Sequence, residues 1–506
     1  MPALWALLSI PAVTIALALY LYHVNRSITI VPSAALKFSP QRWNDEQIRT
    51  TAARLAERPL DSLPHLPAAT GRRYIVVGGS GLVGGWIILH LLARGEDPKK
   101  LRIVDIRRPV REDMLSGPPA QVGFVSADIR DIESLRTAFL AEWPSGIDNA
   151  DITVFHTAAT IRYFERHASL VPRSSSINVQ GVENSVAAAR ACGATVFIFT
   201  SSASIPVVRT RFWVWPWEKH PKTFVQVAND DEATTVRPQN RYFSNYAYTK
   251  HLAERVVCEA HSPDEGFRTG CLRPGNAIFG SGGDLSAGAY LFRAENPSWV
   301  SPIIQPFTYV ENASYGHLLY EKRLLDLESD LSKPDVGGQS FCIADRGDPI
   351  AYSDLYHALS LLTHGETRFP SLPPAPMLIL AHLIELYYIT QTRLPRLLPA
   401  MTGDLPNLQP PIFDLVTIHL NIDYSRAALS PAQGGLGYAP PWSTLEGVCQ
   451  LVNDHLRERN EGQDHQLTGG GISVPFRRQT QQRVAMAAVV EGSPHGTATG
   501  STLKHR

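Results

Sequence analysis

The 506-residue chain carries 47 basic and 47 acidic side chains and is 44% hydrophobic, which excludes a disordered or collagen-like protein and allows a sizeable core. A formal net charge of zero removes the electrostatic footprint of a protein that grips phosphates, so no nucleic-acid partner is expected. The five cysteines stand singly, never as C-x-x-C, which argues against a disulfide framework or zinc site and for a reducing compartment.

Ala3 to Tyr22 contains no charged side chain. Twenty helical residues rise about 30 Å, the thickness of the hydrocarbon layer, so the run predicts an N-terminal transmembrane helix with a kink at Pro11. A cleaved signal peptide is the competing reading, disfavoured because no basic segment precedes the run. Arg26, Lys37 and Arg42 follow it, which by the positive-inside rule places the bulk of the chain in the cytosol, with Tyr20 and Tyr22 at headgroup level. Residues 1–26 read as a membrane anchor and 27–70 as a polar connector carrying one helix near Asp45 to Glu57.

Folding proper begins near Arg72. Tyr74 to Val77 reads as a strand, Leu82 to Ala93 as a helix and Leu101 to Asp105 as a second strand. The alternation continues through Val122–Val125, a helix over Ile132–Ala141, Ile152–Phe155, a helix over Asn178–Ala191, and Thr195–Phe199. Such alternation predicts an α/β fold with a Rossmann-type doubly wound parallel sheet over 71–270. Beyond Cys271 prolines accumulate, and 271–459 reads as a smaller C-terminal substrate lobe ending in a helix over Leu445–Leu456. Within it Met377–Ile389 is apolar but too short to span, and reads as an interfacial, gate or core helix. Residues 460–506, rich in Gly, Ser, Thr and Gln, read as a disordered tail.

Gly78-Gly79-Ser80-Gly81-Leu82-Val83-Gly84 follows the first strand directly. The first glycine of such a turn permits a tight bend, the second close approach of backbone to a pyrophosphate, and the third close helix–strand packing. The helix N-terminus then receives the negative charge. Asp105 ends the next strand about 24 residues after Gly81, where a carboxylate accepts from ribose hydroxyls, so NAD is favoured over NADP despite Arg107 and Arg108 nearby. Further on, Tyr246-x-x-x-Lys250 puts a phenol and an ammonium one helical turn apart, where the ammonium favours the phenolate and makes the tyrosine a base nearer neutrality. Ser202, in Thr200-Ser201-Ser202-Ala203, falls at the carboxyl end of a strand, where open α/β sheets bind ligands.

These motifs, with Asp128-Ile129, His156-Thr157-Ala158-Ala159, Asn178-Val179-Gln180-Gly181 and Leu272-Arg273-Pro274, resemble the extended short-chain dehydrogenases. Within them the chain is most similar to the 3β-hydroxysteroid dehydrogenase family and its decarboxylating sterol-4α-carboxylate 3-dehydrogenases, over about Arg72 to Leu456. The resemblance implies Tyr246 as acid/base, Lys250 as its ribose-binding partner, Ser202 as the hydroxyl on the substrate oxygen and Asn178 in a proton relay. Gly78, Gly81, Leu82, Gly84, Asp105, Asp128, Ile129, Ala158 and Pro274, with Tyr246 and Lys250, would bind NAD, and no metal is implied. The implied activity is NAD-dependent oxidation of a sterol-like 3β-hydroxyl, with loss of carbon dioxide where carbon 4 bears a carboxylate, at the endoplasmic reticulum. A homodimer or a sterol-demethylation complex is the implied assembly. A 3β-hydroxysteroid or triterpenoid dehydrogenase without decarboxylation, a nucleotide-sugar epimerase and a silent dinucleotide sensor are the alternatives.

Two departures from the resemblance matter. Val77 stands where the family usually has threonine before the glycines. Moreover, 44 positions separate Ser202 from Tyr246, an insert carrying Phe212, Trp213, Trp215 and Trp217. Those aromatics read as a satellite packing cluster, a bilayer contact or a lid over an apolar substrate, their position favouring the lid.

Overall fold

A computed structural model describes residues 2–231, 235–284, 286–330 and 332–460, the side chains of 2–10, 328 and 329 excepted. The apolar runs form seven parallel strands: β1 (Arg73–Val77), β2 (Leu101–Asp105), β3 (Gly123–Ser126), β4 (Ile152–His156), β5 (Ala194–Thr200), β6 (Arg268–Pro274) and β7 (Ser340–Ile343). Their order is β7-β6-β5-β4-β1-β2-β3. Tyr74 to Val77 and Val154 are fully enclosed, as expected of parallel strands covered on both faces. Each such buried Val or Ile is worth about 1.5–3 kcal/mol. The order reverses between β1 and β4, and Val77 pairs with both Val104 and His156. That reversal opens a crevice at the strands' carboxyl ends.

In chain order the principal helices are α1 (Pro2–Thr29), α2 (Asp45–Glu57), α3 (Leu82–Ala93), α4 (Ile132–Leu140), α5 (Val171–Asn178), α6 (Gln180–Ala191), α7 (Asn245–Glu259), α8 (Val310–Ser329), α9 (Tyr352–Leu362), α10 (Pro374–Arg393), α11 (Pro411–Val416) and α12 (Thr444–Asn460). Where one helix is expected over Asn178–Ala191, the chain breaks at Val179, and Asn178 closes the preceding helix. The segment expected as a connector is docked instead. Asn44 caps α2 in a reciprocal box with Gln47, Ile48, Ala52 and Leu55 are buried, and α2 is tied to α12 by Arg54–Glu446 at 2.8 Å and by Asn453 Nδ2 donating to the Ala52 carbonyl at 3.0 Å.

α1 runs unbroken through Pro11, but its last turns leave solvent: Val24 and Ile28 join the core of the substrate lobe. Among the described residues no helix is long and apolar enough to cross a membrane. The first half of the expected span, residues 3–10, has its side chains outside the described residues. The expected tail likewise falls outside them, except for Asn460 at the end of α12.

The insert between Ser202 and Tyr246 folds onto the substrate lobe, where Val225–Ala228 pairs in parallel with His419–Ile422. A buried ion pair, Arg273 on β6 with Glu254 on α7, underlies this junction. Arg273 also donates to the Asn229 carbonyl of the insert at 3.1 Å.

Candidate active site

The crevice is a cavity of about 920 Å³ running from the glycine turn to α11. Gly78 has φ +82°, and a Cβ there would lie 2.6 Å from the Ala158 nitrogen. At Gly84 it would lie 2.4 Å from the Gly78 carbonyl oxygen. Both positions therefore exclude a side chain on protein packing alone. Gly81 differs: its Cβ would meet only the Gly78 oxygen, at 3.3 Å. The space it leaves belongs to the cavity and opens onto the N-terminus of α3 at Leu82, which suits a pyrophosphate.

Beside this cradle, Asp105 accepts from the Ser80 amide at 3.2 Å and Ser80 Oγ donates to the Arg107 carbonyl at 2.7 Å, so the β2 carboxylate is held against the turn. Asp128 is paired with Arg130, which keeps its carboxyl below the usual range. Ile129 packs where a Cβ on Gly181 would sit, 2.5 Å from Ile129 Cδ1, and its carbonyl accepts from Asn184 at 2.9 Å. The glycine of the Asn178–Gly181 motif thus serves packing. Val77, in place of the family's threonine, accepts through its carbonyl from Thr157 Oγ1, just past β4, at 3.0 Å. Gly78, Gly81, Leu82, Asp105, Asp128, Ile129, Ala158 and Pro274 all line the cavity, whereas Gly84 stands behind it. The residues fit NAD.

Ser202, Tyr246 and Lys250 meet midway along the cavity. Ser244 caps α7 by accepting from Ala247, which sets Tyr246 in the first turn and Lys250 one turn later. Ser202 Oγ lies 2.8 Å from Ser204 Oγ and hydrogen-bonds the Tyr246 phenol. Burial nonetheless pushes that phenol up to about 12, with Ser202 pulling the other way. The expected depression by Lys250 is absent in the protein alone, where burial sets the phenol and only Ser202 opposes it. Lys250 Nζ donates instead to the Thr200 carbonyl at 2.8 Å and lies 4.5 Å from the centre of the Phe199 ring. Burial lowers Lys250 to about 7.

Asn178 is not among the cavity-lining residues. Its Oδ1 accepts from the Thr160 amide at 2.9 Å, and its Nδ2 donates to the Thr160 carbonyl and to Thr249 Oγ1 at 3.1 Å each. It fastens the loop after β4 to α7, a positioning arrangement. None of Phe212, Trp213, Trp215 or Trp217 lines the cavity either, so the expected lid is replaced by a different arrangement. Phe212 is buried against Phe413 at 5.6 Å, while Trp215 and Trp217 face outward.

Beyond the Ser–Tyr–Lys group the wall turns aromatic and aliphatic, with Tyr290, Trp299, Tyr352, Tyr356, Ile412 and Leu415. The one carboxylate lining that end among the described residues, Asp284, is consumed by the amides of Gly280, Ser286 and Gly288 at 2.6–3.0 Å. Among the described residues, two enclosed donors of this wall find no partner, Tyr163 Oη and Asn276 Nδ2. Asn276 precedes Ala277, held at φ +57°, a left-handed conformation a non-glycine residue adopts at some cost. Neither donor stands out in the sequence. Their signal is only position, a few residues past the carboxyl ends of β4 and β6.

Solved structures of similar fold include the UDP-glucose 4-epimerase of Thermotoga maritima, 18% identical, covering 77% of this chain and 99% of that one with a TM-score of 0.50. Another is the Stenotrophomonas maltophila UDP-glucose-4-epimerase with bound NAD, 16% identical with the same coverage and score. Relatives by sequence include 3beta-hydroxysteroid-dehydrogenase/decarboxylase isoform 2 of Arabidopsis thaliana, 26% identical over 86% of this chain and 74% of its own length. The sterol-4-alpha-carboxylate 3-dehydrogenase, decarboxylating, of Bos taurus is 27% identical over 56% and 67%. The chain belongs to the 3-beta hydroxysteroid dehydrogenase/isomerase family, NAD-dependent oxidoreductases, whose pattern its residues 75–368 match.

Proposed function

We propose that the protein oxidises the 3β-hydroxyl of a sterol carrying a 4α-carboxylate, and that the product loses carbon dioxide. The observation carrying this reading is the placement of Ser202, Tyr246 and Lys250 between a glycine cradle and a large apolar wall without a free charge. A nucleotide sugar, with its charged phosphates and many hydroxyls, suits such a wall poorly.

In this reading NAD, when bound, accepts the hydride released from carbon 3. Tyr246 as phenolate takes the hydroxyl proton, and Ser202 donates to the oxygen as it becomes a carbonyl. Lys250 holds the nicotinamide ribose and offsets the phenolate's charge. The resulting β-keto acid breaks its bond to the carboxyl carbon. The electron pair passes onto the new ketone as an enolate, which a proton then quenches, so no metal is needed. Uncharged donors such as Asn276 and Tyr163 suit a carboxylate that must leave as a neutral molecule.

The uncharged run Ala3 to Tyr22 and the basic residues after it support a membrane anchor with the catalytic unit on the cytosolic side, at the endoplasmic reticulum in this reading. α10, which contains the apolar stretch 377–389, is proposed to lie at the interface rather than to span.

The test supplies NAD⁺ with either a 4α-carboxysterol or a plain 3β-hydroxysterol and follows NADH and carbon dioxide together. Equal amounts of both products from the carboxysterol alone are expected. NADH from the plain sterol at a similar rate overturns the decarboxylating role in favour of a general 3β-dehydrogenase.

A further inference from the structure

α1 leaves the domain as a bare apolar rod: every residue from Pro11 to Leu19 is exposed. A helix apolar all round belongs in apolar surroundings. Where the rod meets the domain, His23 Nε2 bonds the Trp215 carbonyl at 3.1 Å. Trp215 and Trp217 stack in parallel at 5.4 Å with 54% and 77% of their surface exposed. Among the described residues nothing buries these indoles, and water is a poor home for them. Four residues of α1, about 6 Å of helix, separate His23 from Leu19. The indole pair therefore sits at the level where an anchoring helix would pass from headgroups into hydrocarbon.

α10 continues the same surface. It packs against α1, and Trp213 stacks on His382. Its Leu378, Ala381 and Ile384 are buried, while Ile379, Leu383 and Leu386, spaced by four and three, point outward. Glu218 and Glu385 are the acidic residues of these segments, and each is neutralised by an arginine, Arg211 and Arg166. Lys219, Lys222, Arg393 and Arg396 remain exposed around the apolar patch. Apolar centre, indoles and a basic margin together complement a bilayer with anionic headgroups.

We propose that the Trp215–Trp217 loop and the outer face of α10 form a membrane footprint around α1, which lays the catalytic unit flat on the bilayer with the substrate end of its cavity toward the lipid. That orientation follows from contact. α11 lines the substrate end through Ile412, Leu415 and Val416, and its opposite side carries the aromatic loop through Phe413–Phe212 and through Asp414 accepting from the Thr210 amide at 2.7 Å. A sterol would enter from the bilayer without crossing water. The footprint rests on the proposed anchoring by α1.

The full chain, reconstituted in vesicles of phosphatidylcholine and phosphatidylserine, would carry an environment-sensitive fluorophore on one introduced cysteine: Ile15→Cys, Trp217→Cys, Leu386→Cys or, as control, Asp264→Cys. Quenching by lipids bearing a nitroxide at headgroup level, for 217, 386 and 264, or along the acyl chain, for 15, is the readout. Quenching at 217 and 386 as well as 15, but not at 264, is expected. Quenching at 15 alone overturns the footprint and leaves the anchor standing, whereas none at any position overturns both. Self-quenching between copies at 217 without lipid quenching overturns the proposal in favour of a second chain covering the patch. Trp217 is exposed enough that its replacement leaves the fold intact, and Leu386→Cys reads the same surface independently.

Discussion

The cofactor half and the substrate half of the cavity are built on opposite rules. Around the glycine turn, Gly81 apart, positions are committed by the protein's own packing: Gly84 faces the Gly78 carbonyl, Asp105 holds the Ser80 amide, and Ile129 fills the notch over Gly181. At the substrate end the wall comes from segments far apart in sequence, among them Tyr163, Asn276, Trp299 and Ile412. Two of its donors find no partner among the described residues. A half shaped by its own packing binds a constant group, while a half with unspent hydrogen-bonding capacity awaits one.

The largest expected effect lies where the halves meet. Tyr246→Phe should lower turnover about 10²- to 10⁴-fold, the usual worth of general acid–base catalysis, while NAD affinity, followed by tryptophan fluorescence, stays near wild type. Loss of both together would mean that the residue holds the fold rather than the proton.

The pH dependence should divide between the same two partners. Burial raises the phenol and lowers the ammonium, so phenolate is scarce at neutrality and grows with pH. kcat for oxidation should therefore rise on the alkaline side. Over the same range Lys250 loses its proton, as pH passes about 7, and the KM for NAD should rise as well. In Lys250→Met the trend in KM should vanish. A kcat independent of pH in the wild type would remove Tyr246 as the base.

Gly84→Ala sets a methyl against a backbone oxygen and should cost about 1–3 kcal/mol, the usual range for overpacking, seen as a lower melting temperature and weaker NAD binding. Gly81→Ala asks the Gly78 carbonyl to give by only a few tenths of an ångström, so it should weaken NAD binding with a smaller fall in melting temperature than Gly84→Ala. Equal behaviour of the two would erase the distinction between a packing glycine and a ligand-facing one.

Smallest, and opposite in sign for stability, is Tyr163→Phe. Removing a buried hydroxyl that lacks a partner relieves a penalty of up to about 1–3 kcal/mol, so the variant should melt no lower than wild type. Its KM for substrate should nonetheless rise. A variant that melts markedly lower would show the hydroxyl to be bonded within the protein.

Much of the cofactor half is legible in the sequence. Short apolar runs alternating with helices of matching period prescribe β1 to β5 and α3 to within a residue or two, since local spacing alone decides which side chains face inward. The motif positions followed from the same logic, because a glycine turn can bind a phosphate only at a strand-to-helix junction. Asn178 shows the limit. Its motif is plain, yet the break at Val179 and the grip on Thr160 depend on a loop eighteen residues away.

What the sequence determined by itself, then, is the doubly wound sheet, the glycine turn with its acidic partner and the Tyr–Lys pair, for all of these arise from neighbours along the chain. Tertiary structure decided the fate of the insert, with Phe212 inward and Trp215 and Trp217 outward. It docked α2 onto α12 and gathered the substrate wall from segments far apart in sequence. The reason is physical: periodicity tells which face of an element is apolar, whereas only packing tells what that face meets.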